Sequence, residues 1–340
     1  MRMAVDVMGG DHGPGVVVEG ARVALQTHPS IEELFLVGNE DEIKSAMRDS
    51  GFQDSRATIV HASEVLTMED KPVEGLRRKK DCSILRAVEL LKDRKADALI
   101  SPGNTGGLVA ASTIKLRPLE GIDRVAIATV IPAPKSEFVL LDAGASVESR
   151  PNHLLQFAIM GSIYSREVLG RKNPRVGILC NGTESNKGTE TTQEAYRLCK
   201  MTDLNFIGNV EGHDLFDDHV DVVVCDGFIG NIVLKTLESF AKGLAGWLKD
   251  EVSKNPKRML GAMLLTGALR TIKRRTDPDL AGGAPLLGLN GIVFKAHGSA
   301  KEKAITNAIG RAVQAVEHHI TDMIVAEAAQ ATQRLNVAHT

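Results

Sequence analysis

Ala98-Leu99-Ile100-Ser101-Pro102-Gly103-Asn104-Thr105-Gly106-Gly107-Leu108 runs from a short apolar stretch through a glycine-rich polar turn into a second apolar stretch, Leu108–Leu116. The first stretch shows no polar alternation, as expected of a strand covered on both faces. The second is long enough for a helix, and the turn between them leaves free amides at the helix start with little steric cover. That arrangement is an anion site. The same grammar recurs along the chain. Strands are expected at Met3–Val7, Leu34–Val37, Thr58–His61, Ala98–Ser101, Val125–Val130, Phe138–Leu141, Val176–Leu179, Asn205–Ile207, Val222–Cys225 and Ile292–Lys295. Helical patterns lie between them. Asp81 is expected to cap a run containing Ile84, Leu85, Val88 and Leu91, and Pro151 to open another with Leu154, Leu155, Ala158 and Ile159. Such alternation predicts an α/β fold, a largely parallel sheet with helices on both faces, over a single domain 1–340. Ligands of such sheets bind beyond the carboxyl ends of the strands.

The strand-end loops therefore come first. Asp6-Val7-Met8-Gly9-Gly10-Asp11-His12-Gly13-Pro14 brings two adjacent glycines, an acid and a histidine to the end of the first strand. Asn104, Thr105 and Gly106 occupy the opening turn already quoted. Cys180 to Thr189 carries Lys187-Gly188 next to a helix start, where a cation can meet phosphate or a developing oxyanion. Asp226-Gly227-Phe228-Ile229-Gly230-Asn231 follows a strongly apolar strand. Gly288-Leu289-Asn290-Gly291 precedes the last strand, which ends in His297-Gly298-Ser299. Each of these also has a plainer reading, as a tight turn, a helix cap or a solvated loop lysine.

Composition narrows the classes. The chain has 340 residues, 32 of them glycine, a formal net charge of −2 and only 4% aromatics. Near-neutrality and the shortage of stacking platforms argue against nucleic acid as a partner. Cys82, Cys180, Cys199 and Cys225 form no Cys-x-x-Cys pair, so buried thiols in a reducing, cytoplasmic setting are expected, with no metal. Gly-x-Gly-x-x-Gly, Gly-Lys, Gly-x-Ser-x-Gly and His-Glu-x-x-His are all missing, which disfavours a dinucleotide fold, a P-loop, a serine hydrolase and a zincin. Glycine-rich anion loops without a nucleotide motif point to phosphate chemistry.

One segment changes character. Lys242 to Arg275 holds nine Lys or Arg against two acids, with Trp247 and many large apolar residues, and Asn255-Pro256 divides it. A protruding, basic, amphipathic helical hairpin over 238–277 is expected. Trp247, Leu248, Lys249, Met259, Met263, Leu264 and Arg274 are the residues expected to meet an anionic membrane or a partner.

Asp6–Pro14, Ser101–Leu108, Asn173–Gly177, Asn209–Gly212, Asp221–Lys235 and Gly282–Gly298 together resemble the PlsX family of bacterial phosphate acyltransferases, in the family's order and over essentially the whole chain. The resemblance implies a fold similar to those of isocitrate/isopropylmalate dehydrogenases and phosphotransacetylase. It implies transfer of a fatty acyl group from acyl-acyl carrier protein to inorganic phosphate, giving acyl phosphate for phospholipid synthesis. No cofactor is implied. A homodimer is, with peripheral membrane association and a membrane glycerol-3-phosphate acyltransferase as the downstream enzyme. On this reading phosphate sits among Gly9, Gly10, Asn104, Thr105, Gly106 and Lys187, with His12, Gly227 and Asn290 as further lining. Lys187, Asn231 and His297 take the catalytic roles, as donors or proton relay, while Asp6, Asp11 and Asp226 orient donors. A decarboxylating dehydrogenase and a non-catalytic membrane scaffold are the competing readings.

Overall fold

The computed structural model describes residues 1–275 and 282–338. The strands are β1 (Arg2–Asp6), β2 (Glu33–Gly38), β3 (Ala57–His61), β4 (Ala98–Ser101), β5 (Ala126–Pro132) and β6 (Glu137–Leu141). They continue with β7 (Val176–Leu179), β8 (Phe206–Val210), β9 (Val222–Val224), β10 (Ala284–Leu287) and β11 (Ile292–Lys295). Among the described residues they make one sheet, in the order β3-β2-β1-β4-β11-β10-β5-β6-β9-β7-β8. The helices are α1 (Pro14–Thr27), α2 (Glu40–Asp49), α3 (Pro72–Arg78), α4 (Ser83–Lys92), α5 (Thr105–Leu116) and α6 (Pro151–Glu167). After them come α7 (Glu190–Lys200), α8 (Gly227–Ser253), α9 (Pro256–Leu264), α10 (Thr266–Arg275), α11 (Glu302–Glu317) and α12 (Ile320–Ala338).

Successive strand residues go to opposite faces, and the core divides accordingly. Met3, Val5, Ile100, Val224 and Phe294 belong to the core that also takes in Val17 of α1, Leu154 of α6 and Ile305 of α11. Ala4, Leu99, Ile127 and Val293 point the other way, into a second core with Leu85 and Val88 of α4 and Leu108 of α5. Phe138, Leu140 and Val223 continue that second face, where Val233, Leu234 and Leu237 of α8 pack. Both faces are thus covered, as unalternating strands require.

Direction matters more for function than strand count. β1, β2, β3, β4 and β11 are mutually parallel. So are β6, β9, β7 and β8. Between these blocks lie three antiparallel pairings, β11 with β10, β10 with β5, and β5 with β6. An odd number of reversals means the second block runs opposite to the first. Carboxyl ends of the two blocks therefore open toward opposite edges of the sheet.

The ten expected strands are present, with ends shifted by up to three residues (β8 runs on from Ile207 to Val210), and β10 is additional. Its Pro285, paired with Phe294, is a residue that normally argues against an interior strand, so the sequence pattern conceals it. Asp81 does not cap α4 as expected. Cys82 stands at that position, while the Asp81 carboxylate accepts from the Ser63 amide and hydroxyl and from Arg86. The basic hairpin differs in two ways. Its first arm belongs to α8, which begins already at Gly227, and its second arm is two helices, α9 and α10, broken at Leu265. Asn255 caps α9 through the Arg258 amide, and Pro256 fits the first helical position. Residues 276 and 277 of the expected hairpin lie outside the described residues.

Candidate active site

Three neighbouring strands of the first block end in polar residues on one face. Asp6 ends β1, Ser101 ends β4 and Lys295 ends β11, and all three are buried. Ser101 and Lys295 are paired in register. The Ser101 hydroxyl donates to Asp6 Oδ2 at 2.6 Å and accepts from the Gly103 amide at 3.1 Å. Lys295 Nζ donates to the carbonyls of Pro102, at 3.1 Å, and Ala296. Burial pushes the Asp6 carboxyl up from its ordinary value, against the pull of Ser101. Burial likewise pushes the Lys295 ammonium down to about 8, although Asp6 and Asp11 favour its charged form.

The loops above this trio pack backbone on backbone. A Cβ on Gly9 would lie 2.2 Å from the Cα of Gly103, so only glycine lets the β1 and β4 loops meet. The Asp11 amide donates to the Gly298 carbonyl at 2.8 Å, which brings the β11 loop to the same place. Gly9, Gly10, Asp11, Asn104, Thr105, Gly106 and His297 are thereby gathered at one edge of the sheet, with His12 exposed on the β1 loop. Asn104 is fully engaged. Its Oδ1 accepts from the Gly107 amide at 2.9 Å, and its Nδ2 donates to the carbonyls of Thr67 and Asp70 at 2.9 and 3.2 Å. It fixes the start of α5 and ties it to the segment 67–70 that covers the loop. The first amides of α5, at Thr105 and Gly106, have no acceptor within the helix.

His297 Nδ1 accepts from the Ser299 amide at 3.2 Å and lies 2.8 Å from the Ser299 hydroxyl. That bond sets the tautomer and places the proton of the neutral ring on Nε2. Partial desolvation lowers its pKa first, with Lys295, Lys235 and Lys242 adding to the shift and Glu238 opposing it. The imidazole is a neutral donor at neutral pH.

The other expected residues lie elsewhere. Lys187 is exposed on the loop after β7, in the second block, its aliphatic stem packed at Gly182. Asp226 caps α8, accepting from the Ile229 amide at 2.9 Å, and Asn231 stands over Gly144. Asn290 sits in the turn before β11, at the opposite end of that strand from His297, where Nδ2 donates to the Pro118 carbonyl at 2.8 Å. The reversed strand direction thus divides the expected site into two groups. α8 connects them. It contains Asn231 near its start, and its Lys235, Glu238 and Lys242 act electrostatically on His297, roughly 12–22 Å along the helix from Gly227 at 1.5 Å per residue.

Ser101, Lys295 and Asp142 are site residues that the motif reading passes over. Asp142, wholly buried after β6, accepts at Oδ1 from the amides of Ile127, Gly144 and Ala145, and at Oδ2 from the amide and hydroxyl of Ser146. It shapes the loop on which α8 rests. The one available signal was a lysine closing an otherwise apolar strand, Ile292–Lys295. Among the described residues Asp214, Asp217 and His219 bring possible metal ligands within 4.8 Å of each other, but Asp214 already accepts from the Glu211 amide at 2.8 Å and faces His213 at 3.2 Å.

The family described as "Fatty acid synthesis protein" matches residues 1–323. A phosphate acyltransferase from Alkaliphilus oremlandii is 44% identical over 324 residues, 95% of this chain and 96% of that one. The phosphate acyltransferase of Heliobacterium modesticaldum is 47% identical over 321 residues, 94% of this chain and 95% of its own. Among solved structures, the EutD phosphotransacetylase from Staphylococcus aureus superposes with a TM-score of 0.60 at 15% identity, covering 94% of each chain. A branched-chain phosphotransacylase from Enterococcus faecalis gives 0.59 at 13% identity, covering 94% of this chain and 100% of that one. At such identities the two structures show a likeness of fold.

Proposed function

The chain belongs to the phosphate acyltransferase family, and on that premise we propose that it moves a fatty acyl group from acyl-acyl carrier protein to inorganic phosphate, releasing acyl phosphate for phospholipid synthesis. The observation that carries this reading is the meeting of the β1, β4 and β11 loops. There the first amides of α5, which have no acceptor within the helix, share one edge of the sheet with His297 and the buried ammonium of Lys295. Hydrogen phosphate is held among Gly9, Gly10, Thr105 and Gly106 by amides and helix polarity. One of its oxygens attacks the thioester carbonyl. The new C–O bond forms, the C–S bond breaks, and the phosphate proton ends on the departing thiolate, so two substrates balance the reaction. The thiolate is already a good leaving group, and positioning with oxyanion stabilisation supplies the rest. His297, through Nε2–H, donates to the oxyanion or relays the proton. Lys187, on the loop after β7, and Asn231, in α8, serve as further donors from the second block. Asp6, Asp11 and Asp226 orient donors, because like charges repel phosphate.

Phosphate-dependent release of free thiol from acyl-acyl carrier protein, with no change in nicotinamide absorbance, is the expected result. Thiol that stays bound whether or not phosphate is added would sink the assignment, and liposome binding without release would favour a scaffold.

The same reading takes the whole chain as one working unit that acts as a homodimer and passes its product to a membrane glycerol-3-phosphate acyltransferase. No helix of the described residues is long and apolar enough to cross a membrane. The exposed apolar and basic surface of α8 to α10 supports a cytoplasmic protein that associates with anionic membrane from outside. Trp247, Leu248, Met259, Met263 and Leu264 are all exposed there, beside Lys249 and Arg274.

A further inference from the structure

β11 lies inside the sheet, between β4 and β10, and the three residues that precede Lys295 in it are apolar and buried. Packing alone gives no reason for an ammonium at its end. Burying a lysine costs free energy that its partners offset only in part, and an apolar residue of similar length commonly does as well or better for stability. Yet Lys295 is held closely. Its Nζ reaches the Pro102 carbonyl, one residue before the Gly103 backbone that meets Gly9, and the Ala296 carbonyl, one residue before His297. Through register-paired Ser101 it is linked to Asp6 and to the Gly103 amide. Every loop given above to phosphate therefore starts from an atom bonded to this trio.

We propose that Lys295 is a positioning residue for phosphate, a buried cation behind the site that clamps the β4 and β11 loops together and lends them positive potential. This rests on the phosphate acyltransferase reading of the same site. The clamp keeps the α5 amides and His297 at a fixed separation. Its charge, sheltered from water, acts on a bound dianion through the thin glycine backbone, where screening is weak. Asp6 and Asp11 face it from the β1 side, Lys235 from α8, and His297 follows it on its own chain. The carboxylates hold it protonated at neutral pH, while desolvation and Lys235 bring its loss of charge within reach of mild alkali.

The test compares wild type with Lys295→Met, which keeps length but loses charge and donors, and Lys295→Gln, which keeps a donor. Thiol release is measured against phosphate concentration and against acyl-acyl carrier protein concentration. In both variants KM for phosphate should rise about tenfold or more, the scale of one lost charge-assisted contact, with KM for the thioester changed less than about twofold. In wild type, kcat/KM for phosphate should fall as pH rises through about 8, and both variants should lack that limb. Unchanged phosphate KM in a folded variant overturns the proposal. So does a wild-type profile that stays flat through that range, a measurement that needs no variant to fold. Failure of the parent reading looks different, since wild type itself would then release no thiol on adding phosphate.

Discussion

Lys187 and Lys295 are both lysines near strand ends, and they illustrate opposite kinds of cation. Lys187 is exposed, so its removal should leave folding nearly untouched, within about 0.5 kcal/mol. If it meets phosphate or the oxyanion during turnover, Lys187→Ala should slow acyl phosphate formation roughly 100-fold, as loss of a transition-state donor does. Near-normal turnover of the folded variant would take Lys187 out of the mechanism. The sequence made Lys187 conspicuous, because it stands next to glycine in a polar loop. It hid Lys295, which closes an apolar run and reads as the strand's solvent end. Only the register of β11 against β4 reveals that this lysine is buried beside Ser101. Asn104 was legible as important but not in kind, since its amide holds protein carbonyls and an amide of its own helix start.

Two elements carry the site. The first is the segment before α3, held over the start of α5 by Asp70. Its carboxylate accepts from the Thr67 amide and hydroxyl at 2.8 and 3.0 Å and from Lys79, whose contact holds its pKa at about 2 instead of 3.8. A depressed carboxyl stabilises the folded form above its unfolded pKa, and that contribution is lost as pH falls through the folded value. Pepsin cleavage between Ser63 and Lys79 should therefore rise as pH drops from about 4 to about 2, and Asp70→Asn should be cut readily at about pH 4 already. A variant cut no faster than wild type at that pH would show that the segment is held by something else. The second element is the start of α8, which lies so close to the Asp142 loop that a Cβ on Gly230 would sit 1.9 Å from the Asp142 carbonyl oxygen. Backbone cannot yield as a side chain can, so Gly230→Ala should cost about 3 kcal/mol, the upper part of the overpacking range. Denaturant unfolding reads this directly, and an unchanged midpoint would mean that α8 is free to shift. The glycine-rich turn at 226–231 was visible in the sequence as a ligand loop, whereas its close packing against a loop from β6 depends on strand order, which local pattern does not encode.

Across the whole molecule, the sequence disclosed the layers but not the reversal. Unalternating strands and intervening helices are local signals, and they predicted a doubly covered sheet. β10, with Pro285, supplies two antiparallel pairings that cancel each other, so the net reversal between the blocks comes from the β5 to β6 pairing. α8 answers that division by running from the second group of loops past the first and on into the exposed α9 and α10. Its 27 residues span about 40 Å, with Gly227 and Gly230 as its buried residues. Large apolar side chains in water on this scale mark an interaction surface. Leu264, 82% exposed near the end of α9, is the sharpest probe of what covers it. Insertion of one leucine at headgroup level contributes up to about 1.5–3 kcal/mol, and basic neighbours add up to about 1 kcal/mol each. Leu264→Glu should thus weaken co-sedimentation with anionic vesicles at least about tenfold, while thiol release from soluble acyl-acyl carrier protein stays at the wild-type rate. Equal co-sedimentation would exclude insertion at this point. If the variant instead elutes as a smaller species in size exclusion, the apolar surface of α9 belongs to the homodimer, and the membrane must be met by another part of α8 to α10.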